Sequence, residues 1–151
     1  MHAIVNASLR WACYSASVDP HAIEEALFRA FISPRRRHRY LSLLESTKGR
    51  NRLRKELAHL RDLDMRFARR IPSNEQTAER VERLLRGLGA KDQCLILSET
   101  LELDGAHMPL RLALDRVLGT GRGTFLSCVP GRLAYYEGED PGDRFLLVRN
   151  E

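Results

Sequence analysis

The chain has 151 residues, of which 43% are hydrophobic and 30% charged, enough for one compact domain or two small ones with a real core. Apolar residues are plentiful and dispersed, which excludes a disordered, collagen-like or low-complexity chain. The formal net charge of +5 conceals an asymmetry: residues 1–90 carry 18 Lys and Arg against 10 acids, and residues 91–151 carry 7 against 10.

Residues 1–18 form an N-terminal segment with apolar character, but His2, Asn6, Arg10 and several serines interrupt it. It falls short of the roughly 20 apolar residues that span a bilayer. Arg10 lies inside the stretch rather than ahead of it, unlike a secretory signal, so the expectation is a cytoplasmic protein with no membrane partner. Trp11, like Phe67 further along, reads as a packing anchor rather than a stacking residue. Cys13, Cys94 and Cys128 are odd in number, widely spaced and set among apolar residues. That pattern suits neither a disulfide framework nor a zinc site, and buried reduced thiols are expected.

Residues 19–90 read as a basic helical subdomain. Asp19-Pro20 is a cap followed by proline at the first helical position, and Ile23, Leu27, Phe28 and Phe31 supply the apolar face of a helix over about 20–32. Ser33-Pro34 repeats the signal. The second helix then carries Arg35, Arg36, Arg37 and Arg39 in its first turns, where positive charge opposes the macrodipole. Gly49 marks a break before a third helix over about 50–63. At 100° per residue, Arg50, Arg54 and Arg61 fall within about 40° of one another and form a stripe beside its leucines. Residues 64–72 read as a connector. Ser73 and Gln76 have capping-box spacing ahead of a fourth helix, whose apolar stripe includes Val81, Leu84, Leu85 and Leu88.

Residues 91–151 read as a small, mildly acidic α/β subdomain. Short apolar runs at 94–97, 124–129, 133–136 and 145–148 read as strands, with one helix over about 109–118 between the first two. Pro130-Gly131 suits the centre of a type II turn. The expected fold is therefore α+β: a helical half of about four helices packed on a small mixed β-sheet with one crossover helix, in the order β-α-β-β-β.

No motif specifies a reaction, and no cofactor signature is present. The strongest constellation is basic. Between Arg35 and Arg70 lie 13 cations and four acids, a density suited to a polyanion. The preferred reading is a non-enzymatic nucleic-acid-binding protein that contacts RNA or DNA backbone through Arg35, Arg36, Arg37, Arg39, Arg50, Arg54 and Arg61, with Tyr40 beside them. One alternative is an interaction module whose basic and acidic halves pair, in a homodimer or with a protein partner. Another is a metal-dependent hydrolase using Glu99, Asp104 and His107 after the first C-terminal strand. The run Gly119-Thr120-Gly121-Arg122-Gly123 is like a phosphate-cradling loop in composition. It follows a helix and opens a strand, however, the reverse of a nucleotide loop, so a helix-to-strand connection is the better reading.

Overall fold

A computed structural model describes residues 19–150; residues 1–18, with Trp11 and Cys13, lie outside the described residues. Among the described residues five α-helices run in chain order: α1 (Pro20–Phe31), α2 (Pro34–Leu43), α3 (Thr47–Glu56), α4 (Ala78–Gly87) and α5 (Leu110–Val117). Six strands form one sheet: β1 (Ala68–Arg70), β2 (Gln93–Ser98), β3 (His107–Pro109), β4 (Thr124–Val129), β5 (Leu133–Glu137) and β6 (Arg144–Val148). The α+β class holds. The sheet is antiparallel at every pairing, in the order β1-β6-β5-β4-β2-β3, rather than mixed. After α5 the chain returns as β4 antiparallel to β2, so the helix makes no parallel crossover. The two additional strands, β1 and β3, are three-residue edges lying in segments expected to be connectors.

Both sheet faces are covered, which explains why the strands are continuous apolar runs rather than alternating ones. Leu97, Phe125, Ala134, Tyr136, Phe145 and Leu147 pack against α1, α2 and α3. Their strand neighbours Cys94, Ile96, Leu126, Cys128, Tyr135 and Leu146 pack against α4 and α5. The period-two alternation of the pleat assigns the two sets to opposite cores.

The caps set several helix starts. Asp19 accepts from the backbone NH of His21 at 3.1 Å, and Ser46 caps α3 through Gly49 N at 3.0 Å. Gly49 lies inside that first turn instead of breaking the chain, and its lack of a Cβ allows the close approach to Leu43, whose carbonyl oxygen would sit 2.4 Å from one. α4 is capped by Thr77, whose hydroxyl accepts from Arg80 N. The Ser73–Gln76 box does not form: Gln76 donates to the carbonyls of Ile71 and Pro141 and accepts from Arg144. Cys94 and Cys128 are buried and reduced. Burial pushes the Cys94 thiol up to about 12.

Candidate functional site

Four of the eight residues singled out in the basic region are tied into the protein. Arg50 leaves α3 and inserts between Glu24 of α1 and Asp104 of the β2–β3 connection. Its Nη1 and Nη2 donate to the Glu24 carboxylate at 2.7 and 2.6 Å, and its Nε and Nη2 donate to Asp104 at 3.0 Å. The side chains of Glu24 and Asp104 are 4% and 7% exposed. The hydrogen bonds that the guanidinium donates to Glu24 come first, against the opposing pull of burial, in holding it protonated above its ordinary range. The result is a doubly bidentate bridge between carboxylates far apart in sequence. Arg39 donates to Glu56 at 2.8 Å, and Arg37 to the carbonyl of Ile32 at 3.1 Å. Tyr40 is 2% exposed and donates its hydroxyl to Asp62 at 2.5 Å. Burial raises its phenol pKa, which suits a packed hydroxyl rather than a stacking surface.

The other four behave differently. Arg35, Arg36 and Arg61 are exposed and Arg54 is half-buried. Arg36 approaches Asp62 at 3.6 Å, and Arg54 donates to Asn51. Arg35 and Arg61 make no ion pair among the described residues. The expected stripe is broken because α3 ends at Glu56. The chain tightens into a 3-10 turn over Leu57–His59 and is extended at Leu60, so Arg61 emerges from a separate segment.

That segment carries cations the sequence reading did not select. Backbone hydrogen bonds from Ser33 N to Asp62 O (2.8 Å) and from Asp64 N to Phe31 O (2.7 Å) clamp the start of α2 against residues 61–66. Arg66 donates to Asp64 at 2.7 Å and holds that carboxyl below its usual value, with burial opposing and Arg37 adding a smaller push. The Phe67 ring has the Arg66 guanidinium 5.2 Å and the Arg149 guanidinium 4.4 Å from its centroid. Arg149 is further fixed by donating to Ala30 O at 3.0 Å. Arg66, Phe67, Arg69, Val148, Arg149 and Asn150 line a cleft of about 330 Å³. Three arginines line it, two of them with guanidinium groups beside the Phe67 ring, and among the described residues no carboxylate does. Arg66 and Arg69 were visible in the basic run, but as parts of a connector. Arg149 lies about 80 residues away and is brought in by β6 pairing with β1, which no local pattern encodes.

Glu99, Asp104 and His107 do not converge as a metal centre. Asp104 is engaged by Arg50 and by Ser98 N at 3.0 Å, while Glu99 accepts from Gly123 N at 3.0 Å. His107 belongs to β3, and burial lowers its pKa. Among the described residues the one set whose ligand atoms lie mutually within 4.8 Å is elsewhere, at His21, Glu25 and Glu45.

The glycine-rich run does cradle an anion, but an internal one. Glu137 is fully buried and accepts from the backbone NH groups of Gly119 and Gly121, both at 2.9 Å, and from Tyr135 at 2.7 Å. Positive φ angles of 87° and 70° at these glycines turn both amides onto the carboxylate. No family model matches the chain, and no curated protein or solved structure is detectably similar to it.

Proposed function

We propose that the protein binds nucleic acid by its phosphate backbone, through the surface where the start of α2 meets residues 61–70 and the end of β6. The supporting observation is the cleft around Phe67, lined by Arg66, Arg69 and Arg149 and, among the described residues, by no carboxylate, with Arg66 alone of the three paired to an acid, Asp64 at its margin. Arginine matches phosphate oxygens with a planar fork that stays charged at any physiological pH. Two of these arginines stack on Phe67 and so lose less rotamer freedom when they meet an anion. Arg35, Arg36 and Arg61 extend the positive surface along the adjoining segment. Arg39, Arg50 and Tyr40 belong to its scaffold. Backbone contacts of this kind position a ligand without reading its bases.

Fluorescence anisotropy with a labelled duplex and a labelled single strand, over a salt series, tests this. Replacing Arg35, Arg36, Arg61 and Arg69 by alanine is expected to weaken binding far more than replacing Arg80, Arg83 and Arg86. Arg83 and Arg86 are already paired with Glu79 and Glu82. Each lost phosphate contact lowers the slope of log affinity against log salt by about 0.9 on duplex. Equal losses from the two sets would reduce the effect to net charge. No binding at low salt would remove the reading and leave an interaction module as the better account.

A further inference from the structure

On the opposite end of α1 from the Phe67 cleft, His21 and Glu25 lie one turn apart, the spacing that puts two side chains on one helical face. His21 Nε2 stands 2.7 Å from Glu25 Oε1, while the other oxygen, Oε2, faces Arg29 at 3.6 Å. Glu45, from the link between α2 and α3, completes the group: one ligand atom from each residue lies within 4.8 Å of the other two. We propose that His21, Glu25 and Glu45 bind a divalent transition metal of the zinc class.

Three observations carry the inference. The donor set is one imidazole and two carboxylates, which favours zinc or a neighbouring transition ion over calcium or magnesium, whose sites are built from oxygen alone. Two carboxylates neutralise a dication. Around a tetrahedral ion with ligand bonds of about 2.0–2.2 Å, donor atoms are about 3.4 Å apart. The His21–Glu25 separation is 2.7 Å and every other donor separation lies within 4.8 Å, so the group is on the scale of such a site. The backbone that carries Glu45 is anchored nearby: the Arg50–Glu24 bridge, at 2.6–2.7 Å, joins α3 to α1 one residue from Glu25, and Glu45 N donates to Ser42 O at 3.1 Å. Three protein ligands leave a fourth position for water or another small ligand, the arrangement of open rather than structural zinc sites.

Isothermal titration of the full chain with zinc chloride, near neutral pH in a non-chelating buffer, tests the site. One zinc per chain is expected. His21→Ala and Glu45→Gln should each weaken binding by about tenfold or more, and His59→Ala should leave it unchanged, since His59 pairs with Glu139 on another surface. Excess magnesium or calcium should not compete. Both substituted side chains are at least one-third exposed, and circular dichroism of each variant verifies its fold. Absence of stoichiometric zinc binding would overturn the proposal. Full binding by both variants would also overturn it, by placing the ion elsewhere, and displacement by calcium would overturn the metal class.

Discussion

The two faces of the sheet are held by different chemistry. Against the face carrying Phe125, Tyr136 and Phe145, α1, α2 and α3 are fastened by buried polar contacts as well as apolar ones: Arg50 between Glu24 and Asp104, Tyr40 on Asp62, and Tyr136 on the carbonyl of Leu57 at 2.5 Å. Against the other face, Val81, Leu85, Leu110, Ala113, Leu114 and Val117 form an apolar layer, the buried polar contacts there are those of Glu137 with Tyr135 and the loop after α5 rather than with a helix, and Arg83 and Arg86 of α4 pair with Glu79 and Glu82. The same residue type therefore has two unrelated roles. Position on the fold, and not charge density in sequence, decides which arginines are available to a ligand.

The largest expected effect comes from removing the central cation of the first face. Arg50→Ala leaves two nearly buried carboxylates without their partner and should cost about 3 kcal/mol, the low end for a broken buried pair because Arg50 itself is a quarter exposed. Arg83→Ala, across the molecule, should change stability by under about 0.5 kcal/mol. Urea unfolding monitored by circular dichroism measures both. Combining Arg50→Ala with Glu24→Ala should cost clearly less than the two separate losses added together, since each removes the same contact. Equal effects of the Arg50 and Arg83 substitutions would dissolve the distinction between the two faces.

A smaller effect separates the faces by space instead of charge. Gly123 opens β4 directly against the 3-10 turn after α3, where a Cβ would lie 2.1 Å from Ala58 N and 2.2 Å from Leu57 C. Those are backbone atoms in a segment that also accepts hydrogen bonds from Glu139 N and Tyr136, so neither side yields cheaply. Gly123→Ala should cost about 1–3 kcal/mol. Gly87, at the end of α4, meets nothing within 4 Å, and Gly87→Ala should be neutral or stabilise by up to about 1 kcal/mol through helix propensity. Thermal melts of the two variants check the contrast, and a tolerated alanine at 123 would contradict the close approach.

These contrasts also mark what was legible in the sequence. Helices α1, α2, α4 and α5 and strands β2, β4, β5 and β6 were legible because caps, prolines and apolar periodicity are local signals. The end of α3 was not: Leu57 and Leu60 keep helical spacing, yet Tyr136 and Glu139 capture the Leu57 and Ala58 carbonyls and the chain turns away. The edge strands β1 and β3 escaped because three residues are too few for a pattern, and their pairing with β6 and β2 is a tertiary event. At the candidate interface, Arg35, Arg36 and Arg61 lie on the surface as the basic run suggested. Arg50 does not, because its partners Glu24 and Asp104 lie 26 and 54 residues away. The glycine-rich run was rightly a helix-to-strand connection, but that its amides serve Glu137 follows only from the fold.

The smallest expected effect concerns pH and tests the polar character of the first face at its edge. His107 stands opposite Leu95 in the β2–β3 ladder, so its side chain lies on the same sheet face as Leu95. Burial disfavours its charged form and lowers its pKa from the ordinary 6.5. Below 6.5 the unfolded chain therefore binds more protons at this position than the folded one does. Its contribution to stability is intact above 6.5 and declines as pH falls from there through the lowered folded value. His107→Gln removes the titration while keeping a polar side chain of similar length. Urea midpoints from pH 7.5 down to pH 5 should accordingly fall less steeply for the variant than for the unmodified protein, by a shallow margin because the imidazole is only partly buried. Parallel slopes would show that the ring is solvated alike in both states and that the edge of this face is open to water.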